Sequence, residues 1–260
     1  MTPDPQCGLP NAESDTQRRF SGLDRLYGAG PAQSVRNAHV VVVGVGGVGS
    51  WAAEALARSG VGRITLIDMD HVSESNINRQ IHALTPTLGM AKIDAMAQRI
   101  ALIHPDCQVT GVDAFVDGEN WLQLLPTDAD AVIDACDQVI AKTAMAQWAR
   151  SARCHFVSVG AAGGKRQAHA VALSDLSACK YDPLLAQVRY RLRKFHGAPK
   201  EGKKMGVVCV SSPEPVLRPE AAAQGDNTLN CQGYGSLVTV TATFGLCAAG
   251  FVMDQLSKSA

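Results

Sequence analysis

None of the eight cysteines stands in a C-x-x-C pair, and the nearest two are Cys231 and Cys247. Zinc ribbons and dithiol redox sites need two sulfurs on one turn of chain, so both are excluded. A disulfide framework is equally out of place in 260 residues with cysteines this scattered. Neither sign of charge is in excess, since Lys+Arg and Asp+Glu each number 24. That excludes a globally basic nucleic-acid binder but leaves a local basic face open. Residues 1–10 lack the apolar run of a secretory signal, so a cytoplasmic, reducing setting is expected. Long hydrophobic runs are scarce too, with one exception between Asp226 and Asp254, where no side chain is charged. Residues 236–253 there match the ~20 residues of a membrane span. Their threonines and small residues fit the buried helix of a large α/β core better, with membrane association as the alternative.

Hydrophobic residues make up 46% and charged residues 18%, enough to bury a sizeable core. Residues 39–43 are a continuous β-branched run, as in a parallel strand buried on both faces. The run ends in Gly44-Val45-Gly46-Gly47-Val48-Gly49. Val48, Trp51, Ala52, Ala55 and Leu56 then recur at helical spacing, and residues 63–68 read as the next strand, which makes a βαβ unit. Helices are predicted near 89–103, 118–125 and 138–151, and strands at 108–114, 131–135 and 155–160. This alternation predicts an α/β fold, Rossmann-like and doubly wound, whose sheet is mostly parallel. Residues 167–173 read as a strand of an antiparallel C-terminal extension. Residues 198–205 and 212–230 read as loops.

Gly44-x-Gly46-x-x-Gly49 between a strand and a helix suits a nucleotide's phosphates, which meet free N–H groups at the helix start. Asp68 closes the second strand, where it can accept from ribose hydroxyls. On these features alone an NAD-dependent oxidoreductase is the default. The next loop changes that balance. Asp68-Met69-Asp70 precedes Ser75-Asn76-Ile77-Asn78-Arg79-Gln80, and Lys92 opens the following helix. A dinucleotide rarely needs an Arg, a Lys and several amides beside its phosphates. A triphosphate does, because attack at its α-phosphorus builds charge on the equatorial oxygens and the departing pyrophosphate. Asp134 and Asp137 follow at the same sheet edge, where a carboxylate suits Mg²⁺ bridging phosphate oxygens.

Gly44–Gly49, Asp68–Asp70, Ser75–Gln80, Lys92 and Asp137 together resemble the ubiquitin-activating-enzyme-like ThiF/MoeB/HesA adenylating superfamily. The resemblance implies a homodimer that uses ATP and Mg²⁺ to activate a carboxylate as an acyl adenylate. It implies Gly44, Gly46, Gly47 and Gly49 at the phosphates and Asp68 at the ribose, with Asp70 among the cofactor-binding residues. Asn76, Arg79, Gln80 and Lys92 fall at the triphosphate, and Asp137 at the metal or catalytic-acid position. An arginine reaching across the dimer would be Arg19 or Arg25. The domain plan that goes with this is a flexible leader over 1–17 and one adenylating domain over 18–260. Within it, residues 165–235 form a substrate- and tRNA-facing insertion with loops.

Two departures narrow the resemblance. Members that serve ubiquitin-like sulfur carriers have paired C-x-x-C ligands, absent here, and Gln138 and Lys142 replace the usual Asn and Arg after the metal Asp. The segments Arg25–Gly28, Gly47–Arg58, Asn78–Leu84 and Thr239–Gly245 instead are similar to the branch that dehydrates threonylcarbamoyladenosine in tRNA. That similarity implies a tRNA substrate beside the anticodon, with a cysteine desulfurase and its sulfur-acceptor protein as further partners. Cys231 is either a thioester nucleophile or a small core residue before the last helix. Arg189, Arg193, Lys194, Lys203 and Lys204 lie in a basic stretch and are the candidates for tRNA contact. The rival readings are adenylation of a carrier protein's C-terminus, an NAD-dependent oxidoreductase, and a non-catalytic nucleotide-binding scaffold.

Overall fold

The computed structural model describes residues 12–200, 202–217 and 234–258. His39–Val43 forms β1, buried along its whole length. It lies between β2 (Arg63–Ile67) and β4 (Ala131–Asp134), parallel to both. The other strands are β3 (Gln108–Val112), β5 (His155–Val159), β6 (Ala172–Asp175) and β7 (Val208–Ser211), in the seven-stranded order β3-β2-β1-β4-β5-β7-β6. Every pairing is parallel except β6 with β7. The order reverses between β1 and β4, so a crevice opens at their carboxyl ends, the usual ligand position in such sheets.

Alternate residues of each strand point to opposite faces. Val40, Val42, Ile64, Leu66 and Ile133 face α3 (Gly49–Arg58), α4 (Lys92–Ile103) and α8 (Val238–Leu256). Val41, Val43, Val132 and Phe156 face α5 (Trp121–Leu124), α6 (Val139–Ala149) and α7 (Pro183–Phe195). The apolar stretch near the C-terminus is α8, whose Phe244, Ala248 and Val252 are fully buried in the first core. A Cβ at Gly245 would overlap the Val48 carbonyl oxygen, so glycine sets the close approach of α8 to α3. By length and composition α8 could cross a membrane; in this fold its apolar face is spent on the sheet.

Two elements differ from expectation. α1 runs from Ala12 to Tyr27, so a helix begins inside the span read as a leader over 1–17. Gly28 ends it by turning the chain at φ 89°, and α2 (Ala29–Asn37) takes Pro31 into its first turn, where no N–H is needed. Residues 168–170 make a single 3₁₀ turn, so the edge strand expected at 167–173 begins only at Ala172. β7, which joins that edge strand to β5, was not expected, although Val207-Val208-Cys209-Val210 is a short apolar run of the same kind as β1.

Candidate active site

The glycine turn is fixed by crowding. Gly44 donates its N–H to the Ile67 carbonyl at 2.8 Å and has φ 84°, with the Cys136 backbone 2.9 Å from where a Cβ would stand. A Cβ on Gly49 would overlap the Gly44 carbonyl, so the chain can fold back into α3 only with glycine at both places. Space beside Gly46 is open, and Gly46 and Gly47 border a cleft of about 430 Å³ at the carboxyl ends of β1 to β5.

Asp68 sits where β2 leaves the sheet, and its carboxylate accepts N–H groups from Val45 at 2.6 Å and Asp70 at 2.9 Å. Burial pushes its carboxyl above the ordinary range, against the pull of Lys92 and those two donors. Buried Lys92 pairs with Asp70 at 2.6 Å and anchors its own N–H on the Asp70 carbonyl. Asn76 closes a 3₁₀ turn at Glu74–Asn76 by accepting the Ser73 N–H through its side chain, so its carbonyl oxygen supports the loop. Arg79 lies over Gly47, with Cγ 3.1 Å from the position of a Cβ there. Its guanidinium donates to the Ser75 carbonyl at 2.7 Å and to Asn78 at 2.9 Å, and its carbonyl takes the Trp51 indole N–H. Gln80 is buried, and its Oε1 accepts from no described group. Asp68, Asp70, Asn76, Arg79, Gln80 and Lys92 all border the cleft.

The two aspartates after β4 have different fates. Asp134 is fully buried, paired with Lys142 Nζ at 2.9 Å, and it accepts the Ser158 hydroxyl at 2.6 Å. Asp134 is thus consumed by structure and is not free for a metal. The same pair holds the Lys142 ammonium charged, raising its pKa against the cost of burial. Asp137 stands exposed at the cleft edge, touched by the Gln138 amide at 3.2 Å. Among the described residues no group of three His, Cys, Asp or Glu side chains could cage a metal. Asp137 alone therefore fits a cation that brings phosphate and water ligands with it, as Mg²⁺ does.

Sequence reasoning missed the two ends of this cleft. Ala114–Val116 after β3 form one end, with Phe115 among them. Gly160–Gly163 after β5, Pro183, Leu184, Val216 and Tyr234 form the other. Their residue types carry no chemical signal, and only the sheet order brings them together. Asn78 was also passed over. It receives Arg79 and donates to the Ser236 carbonyl at 3.1 Å, tying the phosphate loop to the approach of α8.

Arg19 donates to the Ile103 carbonyl at 2.8 Å and Arg25 to Ser21 at 3.4 Å; neither borders the cleft of its own chain. Cys231 lies outside the described residues. Of the basic stretch, Arg189 donates to the Leu176 and Cys179 carbonyls and Arg193 to the Pro199 carbonyl, so both serve the backbone. Lys194 stays exposed, 5.4 Å from the ring centroid of Tyr190 and 5.1 Å from that of Phe195. Lys203 and Lys204 are exposed as well.

The sequence profile of the ThiF family matches residues 18–259. The tRNA threonylcarbamoyladenosine dehydratase of Escherichia coli (strain K12) is 43% identical over 255 residues, covering 94% of this chain and 95% of that protein. The Haemophilus influenzae protein of the same name is 40% identical, covering 93% and 94%. The crystal structure of the Escherichia coli dehydratase in complex with ATP superposes with a TM-score of 0.85, covering 94% of this chain and 95% of that one. A complex of the same enzyme with AMP superposes equally well, also at 0.85.

Proposed function

The chain belongs to the ThiF family, and we propose that it is an ATP-dependent tRNA threonylcarbamoyladenosine dehydratase that works through an acyl adenylate. The observation that carries this reading is near-full-length identity to the Escherichia coli enzyme, joined to a cleft that gathers Arg79 and Lys92 over a glycine turn.

A carboxylate resists attack because its leaving group would be oxide. In the proposed scheme the threonine carboxylate attacks the α-phosphorus of ATP, the bond to the bridging oxygen breaks, and pyrophosphate leaves. The carbamoyl group, tethered to the same nucleoside, then attacks the activated carbonyl and expels AMP. A ring closes as a hydantoin or oxazolone, and the nucleoside has lost one water. Tethering raises the effective molarity of the second attack, so no enzyme nucleophile is obligatory and Cys231 needs no part in it.

The residues suit these roles. The N–H groups of the glycine turn and the start of α3 face the phosphates. Arg79 and Lys92 neutralise charge as pyrophosphate departs; Lys92 would loosen from Asp70 to do so. Asp68 is short of donors for its burial, and ribose hydroxyls supply them. Mg²⁺ bound at Asp137 would add Lewis-acid polarisation of the phosphate oxygens. Lys194, Lys203 and Lys204, with Arg191 stacked on Phe195, are the proposed cations for tRNA phosphates. A homodimer would bring Arg19 or Arg25 of one protomer to its partner's cleft. A cysteine desulfurase and its sulfur acceptor complete the proposed partners, and the proposed setting is the cytoplasm.

The test is mass spectrometry of nucleosides from modified tRNA after incubation with ATP and Mg²⁺. Loss of one water from the threonylcarbamoyl nucleoside, with release of AMP, is expected. An unchanged nucleoside mass, or pyrophosphate exchange driven only by a protein ending in Gly-Gly, overturns the reading.

A further inference from the structure

The cleft has an aromatic ring at each end. Phe115 follows β3, on the Asp68 side, and Tyr234 stands beyond β5, against Gly163. With strands about 4.8 Å apart, the four spacings from β3 to β5 set these ends roughly 19 Å apart across the sheet. The glycine turn and Arg79 lie between them, over β1. An adenosine seated beside Asp68 uses the Phe115 end, and the incoming acid must approach the α-phosphorus from the other.

Among the described residues, that other end has no charged lining. Gly160–Gly163, Pro183, Leu184, Val216 and Tyr234 are all neutral, and the nearby Asp182 carboxylate is occupied by the Ala161 and Leu185 N–H groups. Tyr234 is half-buried, and the two residues after it are tied down. Gly164 donates to the Gly235 carbonyl at 3.0 Å, and Asn78 donates to the Ser236 carbonyl at 3.1 Å. The chain that carries the ring is therefore held between the β5 end and the loop that carries Arg79. Gly163 brings its backbone close, since a Cβ there would lie 3.7 Å from the Tyr234 Cβ. A neutral end lined by an aromatic ring suits a nucleobase, which stacks through an uncharged π surface. Its described side chains offer no cation to a phosphate.

We propose that this end of the cleft is the subsite for the base that carries the acid, with the Tyr234 ring as its stacking face. The proposal rests on the dehydratase reading and names a specificity-determining residue within it. The ring matters and its hydroxyl does not. Tyr234→Ala and Tyr234→Leu are each expected to lower kcat/KM for dehydration of modified tRNA on the order of ten- to a hundredfold. The dissociation constant for ATP stays as in the wild type, which also reports that both variants fold. Tyr234→Phe restores wild-type kcat/KM. Unchanged kcat/KM in the leucine variant, or a parallel weakening of ATP binding, overturns the proposal. If the wild type dehydrates modified tRNA while the Tyr234 variants are indifferent, this inference alone falls; if the wild type does not, the functional reading falls and takes the inference with it.

Discussion

The two halves of the cleft are built in opposite ways. The phosphate half comes from one run of chain, residues 44–92, in which Gly44, Gly49, Asp68, Arg79 and Lys92 each have a chemical reason to be what they are. The acid half is gathered from the end of β5, the start of α7, the segment after β7 and the approach to α8, and its residues are chemically plain. Among the described residues, charge marks the first half and is missing from the second. The phosphate half is thus organised by electrostatics, which sequence displays, and the acid half by shape, which only the fold displays.

The largest expected effect falls on the seam between them. Asp134 and Lys142 form a fully buried pair beneath the end of β4, the strand that separates the halves. Lys142→Met removes one charge and leaves Asp134 buried with the Ser158 hydroxyl and the Cys136 N–H and thiol as its remaining donors. A loss of roughly 3–5 kcal/mol in urea unfolding is expected, with most of it regained in the double variant Asp134→Leu/Lys142→Met. A Lys142→Met protein as stable as the wild type would show that the halves do not depend on this pair.

A smaller and one-sided effect is expected at Arg79. Arg79→Ala keeps the backbone carbonyl that receives Trp51 but removes the guanidinium over Gly47. Adenylation, followed as release of pyrophosphate, should fall on the order of 10²–10³-fold, the usual loss for one donor aimed at developing charge. Affinity for tRNA should not change. If both fall together, the division of the cleft into two halves is wrong.

The sequence was legible where chemistry is local. β1, α3, β2 and the loop to Lys92 follow from a β-branched run, a glycine turn and polar spacing, and the structure puts Gly46, Asp68, Arg79 and Lys92 around one space. It was illegible where the fold decides. Asp134 resembles a metal-binding aspartate in sequence; the first turn of α6 brings Lys142 under it and buries both. Arg189 and Arg193 look like tRNA contacts until their backbone carbonyl partners are seen. β7 is a four-residue strand between loops, and its pairing with β5 and β6 is a matter of topology.

The smallest effect separates the halves by pH. His82, beside the phosphate half, is 1% exposed, and neither ring nitrogen has a partner among the described residues. Burial, then the nearby Lys92 and Arg99 cations, lower its pKa to about 4 from 6.5. Its folded-state pKa lies below the unfolded one, so the unfolded chain binds the proton more readily. The stability of the neutral form is complete above pH 6.5 and is lost as pH falls from 6.5 towards 4. Between pH 7 and pH 5 that amounts to about 2 kcal/mol. In the acid half, burial raises the Asp182 pKa instead, so its folded form favours the proton and is relieved by acid. His82→Phe keeps a ring in the same space without the titration. Its melting temperature should fall less between pH 7 and pH 5 than that of the wild type, because the Asp182 contribution is common to both. Parallel falls in the two proteins would mean that His82 is not held neutral by its surroundings and that the two halves respond to acid alike.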